Sequence, residues 1–358
     1  MGARAPMVQR GYGGSKNVLF GGWTRFRGRN RAGVQPYCLQ GTRGPLVRTI
    51  GNDNLADVIG RRKLDKRQDV PPALRTGVGL ALGGGFARGF AHLGVLQVLE
   101  QKHIPISCIA GTSVGSILGA AYASGAPLAR IIATCRTLRF RDIARWRVSR
   151  LGLASNQRLG DLIERVFDSR QFEDLRIPMA VVATDLNSGE PVVLRHGSLV
   201  DAIRASCAFP GLFEPVEIGT RCLADGGLVA PVPTRAARDL GAEFVLGVSV
   251  GMQDGHRGAP SNVFQVMTRA VSAAQKHQLE VWERHADLVL RPDVQTIAWD
   301  QFERADDAIE AGAAVARLAL PRIEKYLERA RARSLSVSSE PDREPEMPAS
   351  LELAEAIR

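Results

Sequence analysis

Between residues 77 and 125 the chain switches twice from one apolar rhythm to another. "GVGLALGGG" is a short apolar run cut off by three glycines, the pattern of a buried strand that ends in a turn. "RGFAHLGVLQVLEQK" follows, with apolar side chains at Phe90, Leu93, Leu96, Val98 and Leu99, the spacing of a helix with one buried face. "IPISCIAGTS" predicts a second strand, and "VGSILGAAYASG" a helix of small residues closed by Gly125 as the residue after its C-cap. Further on, "IPMAVVATDL" (177–186), "PVVLRHG", "RCLADGG", "EFVLGVSVG" (243–251) and "ADLVLRPDV" (286–294) read as strands, with "SLVDAIRASCAF" and "PVPTRAARDLGA" as helices. Strand and helix alternate, which predicts an α/β fold with a mainly parallel sheet covered on both faces.

This pattern bounds a body from 76 to 330. Residues 1–75 mix Gly, Arg and isolated aromatics without periodicity and end in the charged linker "RRKLDKRQDVPPALR", so a flexible basic extension is expected there. Residues 331–358 include the Ser/Pro/Glu-rich "SLSVSSEPDREPEMPAS" and are expected to be disordered.

Charge sharpens that division. The formal excess of +10 lies wholly within residues 1–70, which hold 14 Lys and Arg against four Asp, and the rest of the 358-residue chain is neutral. The excess therefore says nothing about a site in the body. It suggests peripheral contact with anionic membrane at the inner face, or an extension without a partner, and no specific nucleic-acid recognition. Five scattered cysteines without a C-x-x-C pair predict neither a disulfide framework nor a metal site, and no cofactor motif is complete. The uncharged run Ile104–Ala129 carries Pro105, several hydroxyl residues and four glycines, so a strand, a turn and a helix are expected rather than a membrane span. The opening residues lack an apolar signal region, and Pro6 stands where a myristoylation motif needs Ser or Thr, so a cytoplasmic location is expected.

Three stretches carry candidate chemistry. "LALGGGFARGFAHLG" ends a strand in glycines at a helix entrance, where bare N–H groups attract an anion, either a phosphate or an ester oxyanion. The dinucleotide fingerprint fails, because Gly89 follows Gly83 and Gly85 one residue too late and no acidic residue ends the next strand. "GTSVGS" sets Ser113 between Gly111 and Gly115 at the G-x-S-x-G spacing, where a sharp elbow demands small neighbours and directs amides such as that of Val114 toward the serine. "CLADGGLVAPVP" sets Asp225 before Gly226 and Gly227 at the end of an apolar strand, either a cleft carboxylate or an Asp-Gly turn. A Ser-His-Asp arrangement requires a late histidine; His256 lies in a glycine-rich loop, and His277 and His285 fall in a long polar helix.

Taken together, "GGGFARG", "GTSVGS" and "DGG" in this order resemble the patatin-like phospholipases, closest to the bacterial members and the catalytic domain of neuropathy target esterase. The likeness extends over 76–255. It implies a patatin-type three-layer sandwich, hydrolysis of lipid esters, Ser113 as nucleophile and Asp225 as general base. It also implies an oxyanion hole from Gly83, Gly84, Gly85, Arg88, Gly89 and Val114, with Gly84 and Gly85 as the expected donors. One departure stands out: plant storage members have one residue between the glycines and Arg-Gly, whereas Phe86 and Ala87 both intervene here. A Ser-His-Asp esterase and a catalytically silent lipid-binding regulator remain as alternatives, and the oligomeric state is open.

Overall fold

The computed structural model describes residues 77–338 except 148, 168 and 252–258. The expectations for residues 1–75, for 339–358 and for His256 lie outside the described residues.

The strands are β1 (Val78–Leu82), β2 (Ile106–Thr112), β3 (Arg145–Trp146), β4 (Gly152–Ser155), β5 (Met179–Asp185), β6 (Pro191–Leu194), β7 (Gly211–Phe213), β8 (Val216–Ile218), β9 (Arg221–Asp225), β10 (Phe244–Val248) and β11 (Leu288–Leu290). The helices are α1 (Ala91–Gln101), α2 (Val114–Ala123), α3 (Leu128–Thr137), α4 (Phe140–Ile143), α5 (Gln157–Val166), α6 (Leu199–Ser206), α7 (Thr234–Asp239), α8 (Val263–Lys276), α9 (Leu279–Glu283) and α10 (Ala305–Ser338). Eight strands form one sheet in the order β11-β10-β1-β2-β5-β9-β8, with β6 also on β5; β3-β4-β7 form a second, small sheet. From β11 to β5 all neighbours are parallel, whereas β6, β8 and β9 join antiparallel. The α/β class and the mainly parallel central sheet are as the sequence pattern predicts.

The two faces of the sheet bury different sizes of side chain. On β1, Val78, Leu80 and Leu82 join the large cluster with Leu93, Leu96 and Leu99 of α1 and Ile309 and Ile323 of α10. The opposite face offers Ala81, Cys108, Ala110 and Ala180, small enough for Ala236 and Ala237 of α7 to close against it. Period-two alternation of large and small residues thus sets how near each helix layer stands.

Helix α10 docks on α1 at van der Waals range through two glycines. A Cβ on Gly94 would lie 1.8 Å from the Ile309 carbonyl oxygen, and one on Gly312 would lie 1.9 Å from that of Ala91. Both clashes are with backbone, so neither can be relieved by turning a side chain.

Several expectations are refined. The uncharged run becomes β2, a turn and α2, and among the described residues no helix is long and apolar enough to cross a membrane. Gly125 does follow the C-cap of α2, with φ +86°. The single polar helix expected around His277 is two helices, with His277 capping α8 and His285 lying beyond α9. Helix α10 runs on to Ser338, so the expected boundary at 330 falls inside a helix whose buried apolar face reaches that point with Leu327 and Ala330.

Replacing Gly94 by Val is expected to remove about 2–3 kcal/mol of unfolding free energy by forcing α1 and α10 apart. A fall in the urea midpoint with unchanged slope would register it.

Candidate active site

The site follows from how one strand is shared. Along one edge of β5, Met179–Val182 pair with β2, whose last residue Thr112 stands opposite Val182. The next residue, Ala183, pairs on that same edge with Asp225, the last residue of β9, which arrives from the opposite direction. The other edge is taken by β6. The ends of β2 and β9 therefore point at each other across one residue step of β5. Ser113 and Asp225 stand at those ends.

Ser113 Oγ donates to Asp225 Oδ2 at 2.7 Å. The serine adopts φ +52° and ψ −127°, a conformation that costs a side-chain-bearing residue on the order of 1–3 kcal/mol. The surroundings hold it there. Its N–H donates to Ser206 Oγ at 2.9 Å, and Ser206 Oγ donates to the Val182 carbonyl at 2.6 Å. Ser116 Oγ holds the Ser113 carbonyl at 2.6 Å. Gly111 and Gly115 flank the elbow, and a Cβ on Gly115 would fall 2.1 Å from the Leu82 carbonyl oxygen.

Asp225 is fixed as firmly. Its Oδ1 accepts from Gly227 N–H at 2.7 Å, its carbonyl accepts from Thr184 Oγ1 at 2.8 Å, and its N–H donates to Ala208 O at 2.9 Å. Gly226 lets the chain turn away beneath β5, since a Cβ there would lie 2.1 Å from Val182 O. Burial pushes the Asp225 carboxyl up to about 6, while the Gly227 amide and the Ser113 hydroxyl pull it back. The Cys207 thiol nearby is raised by burial first and by the Asp225 charge second, so it remains a thiol.

The glycine loop closes over the serine from β1. Gly83 and Gly84 N–H donate to Val248 O at 3.0 Å and to Pro231 O at 3.1 Å. Gly84 is thus not available as the expected donor. Among the described residues the amides of Gly85 and Phe86 have no acceptor, and that of Val114 opens α2. Gly89 lies in the 3₁₀ turn Phe86–Phe90, where a Cβ would strike Val114 at 2.3 Å, so it sets the spacing between loop and elbow.

Arg88 is 7% exposed; its Nε donates to Gly85 O at 3.4 Å, and Nη1 is buried without a partner. The charge persists, as it does for any arginine. Among the described residues no carboxylate neutralises it.

No described histidine hydrogen-bonds Ser113 or Asp225. His92 is fully buried, its Nε2 donates to Gly83 O at 2.8 Å, and burial lowers it to about 4. His103, His196 and His277 are exposed. Among the described residues no cluster of His, Cys, Asp and Glu is arranged to hold a metal.

Two cavities meet at Ser113. One is apolar, of about 90 Å³, and runs along α2 between α3 and α5, lined by Val114, Ile117, Ala121, Cys135, Leu162 and Phe167. The other is a cleft of about 1110 Å³ with a mixed lining, where the polar groups of Arg88, Asp225, Gln265, Thr268 and Asp300 stand among Trp146, Leu153, Leu212 and Trp299. Phe86 borders both. The sequence reading identified Ser113 and Asp225 but missed Ser206, whose only signal is its place in the "RASCAF" stretch of the resemblance. It also missed the apolar cavity, whose outer wall comes from α3 and α5.

Residues 80–238 match the family model for the patatin-like phospholipases. Those residues form a patatin-like phospholipase domain. Among its relatives is an NTE family protein of Mycobacterium tuberculosis, 37% identical over 207 residues, covering 55% of this chain and 57% of that protein. The human patatin-like phospholipase domain-containing protein 6 is 33% identical over 217 residues, covering 56% of this chain and 15% of the relative. The chain thus spans little more than half of the first relative and a small part of the second. Of solved structures, VipD from Legionella pneumophila superposes with a TM-score of 0.43 at 15% identity, covering 73% of this chain and 68% of that one.

The raised Asp225 carboxyl has a stability consequence of defined sign. A folded-state value of about 6 against 3.8 means the native state holds this proton more tightly than the unfolded chain. That contribution is complete below about pH 4 and is lost as pH rises through about 6. Asp225→Asn is therefore expected to be more stable than the native protein at pH 8 by about 2–3 kcal/mol, and to lose that advantage near pH 4. Urea unfolding of both proteins across this range measures the difference.

Proposed function

We propose that this domain is a serine hydrolase of lipid carboxylic esters, with Ser113 as nucleophile and Asp225 as general base. The observation that carries the reading is the 2.7 Å hydrogen bond between them, made by a strained serine at the mouth of an apolar cavity. In the acylation step Ser113 Oγ attacks the ester carbonyl while its proton passes to Asp225 Oδ2. The tetrahedral oxyanion is held by the N–H groups of Gly85 and Phe86 and of Val114 at the start of α2. When the C–O bond breaks, Asp225 returns the proton to the departing alcohol. A water then loses its proton to Asp225 as it attacks the acyl-Ser113 carbonyl, and the same proton restores the serine.

A carboxylate near its ordinary value is too weak a base for this task. Burial, which raises Asp225 to about 6, narrows the mismatch with a hydroxyl, and the oxyanion donors supply the remainder. The two cavities orient the substrate. An acyl chain fits the apolar one, which follows α2 from Ser113 to Ala121, roughly 12 Å by the helical rise. The alcohol side, with any headgroup, faces the wider cleft, where the unneutralised Arg88 favours a negatively charged group. A phospholipid or lysophospholipid has this shape and charge.

Ser113→Ala and Asp225→Asn are each expected to lower turnover of a short-chain nitrophenyl ester by about three orders of magnitude or more. The native kcat/KM is expected to rise with pH through an apparent value of about 6, as Asp225 loses its proton. A fluorophosphonate is expected to label Ser113 in the native protein; absence of labelling would favour the silent regulator. Full activity in Asp225→Asn, with loss in His256→Ala, would favour the Ser-His-Asp esterase instead.

Ala121→Leu adds bulk along the apolar cavity two turns from Ser113. It is expected to shift the preferred nitrophenyl ester to a shorter acyl chain, seen as a selective fall in kcat/KM for the longer substrates of a chain-length series.

A further inference from the structure

The residues between 139 and 158 form an unusual rim. Arg139, Arg141, Arg145, Arg147, Arg150 and Arg158 stand there against one acid, Asp142, and all six are exposed. Among the described residues, Arg145, Arg147 and Arg150 pair with no carboxylate. The antiparallel pair β3-β4 that carries them also exposes apolar side chains, with Trp146 66% and Leu151 67% exposed. Positive charge on an edge strand such as β3 is an ordinary guard against sheet-to-sheet association. An exposed Trp and Leu on the same hairpin work against such a guard.

The hairpin is continuous with the site. Trp146 and Leu153 line the cleft that holds Ser113 and Arg88. On a second part of the cleft wall, α8 contributes Gln265, Thr268 and Arg269, while its first turn exposes Val263 and Val266. Inward from the hairpin, Trp146 contacts Phe140 at 6.0 Å between centroids, Phe140 meets Trp299 at 5.5 Å, and Trp299 meets Phe86 at 5.4 Å. Rings therefore run without a break from an exposed tryptophan to the wall between the two cavities.

We propose that the β3-β4 hairpin is an interfacial docking surface for an anionic phospholipid bilayer, seating the cleft mouth on the lipid. The proposal rests on the lipid-hydrolase reading above for its biological sense, but not for its test. Arginine guanidinium groups meet lipid phosphates, and Trp146 and Leu151 enter the boundary between headgroups and acyl chains, where an amphipathic ring and an aliphatic side chain are both favoured. A lipid leaving the bilayer there enters the cleft without its chains crossing water. The hairpin belongs to the same domain as the site and lies beside it.

Binding is measured on the full chain carrying Ser113→Ala, so that no lipid is consumed and the outcome does not depend on catalysis. Vesicles of phosphatidylcholine with and without phosphatidylglycerol serve as the probe. Binding is expected to need the anionic lipid, and brominated acyl chains are expected to quench a fluorescence component that Trp146→Phe removes. Arg147→Glu with Arg150→Glu, and separately Leu151→Ser, are expected to weaken vesicle binding about tenfold or more. In the otherwise native chain these variants are expected to leave hydrolysis of a soluble nitrophenyl ester unchanged while slowing hydrolysis of vesicle lipid. Undiminished vesicle binding in these variants overturns the proposal, as does quenching that Trp146→Phe leaves intact. So does binding of single-stranded DNA that depends on Arg147 and Arg150 while vesicle binding does not.

Discussion

The geometry of this domain depends on the hydrogen-bonded edge of β5. That edge accepts a parallel strand over its first half and an antiparallel strand over its second, with Val182 and Ala183 as the changeover. Two chain segments more than a hundred residues apart are thereby brought end to end with their register fixed to a single residue. A slip of one residue in either pairing would turn Ser113 or Asp225 to the other face of the sheet. The Val182 carbonyl at the changeover is taken up by Ser206, which in turn accepts from the Ser113 amide, so the elbow is tied to the same point of the sheet.

That arrangement sets up two unfavourable states that support each other. Ser113 is held at positive φ, and Asp225 is held out of water at a value about two units above an ordinary aspartate. Neither would persist on a loose scaffold. The N–H and carbonyl of both Ser113 and Asp225 are hydrogen-bonded, and Gly115 and Gly226 pack against neighbouring carbonyls with no room to move. The hydroxyl and the carboxylate then satisfy one another in a setting where water would otherwise be needed, and their contact is correspondingly short.

How much of this the sequence disclosed follows from the range of each interaction. Strand and helix identity along 77–125 came from apolar spacing, a local property, and those elements appear where the spacing put them. The elbow could be read because it needs two glycines within five residues. The meeting of Ser113 with Asp225 could not come from spacing at all, since it arises from strand order; it entered through the family resemblance. The donors of the glycine loop were misjudged because "GGG" does not reveal that Pro231 and Val248 claim the first two amides. The helices α3 and α5 carry regular signals, with Leu128, Ile131, Ile132 and Cys135 on one and Leu159, Leu162, Ile163 and Val166 on the other at i, i+3, i+4 and i+7, yet spacing does not show where those faces are placed in the fold. That both faces border a cavity beside Ser113 follows from the packing of α2, α3 and α5 around it, a long-range property.

Phe86 in the glycine loop stands where two unlike spaces meet. At Phe86 the chain turns through φ +52° at a side-chain-bearing position, an arrangement that only surrounding contacts can maintain. Those contacts are Phe209 and Trp299, which take the ring edge-to-face at 5.6 and 5.4 Å. The ring thus borders both the apolar cavity and the wider cleft, while the amide of the same residue has no acceptor among the described residues. On the lipid-ester reading proposed above, a substrate with one apolar and one polar end lies across Ser113 in a single direction, because exchanging the ends would bury polar atoms in a cavity with an almost wholly apolar lining.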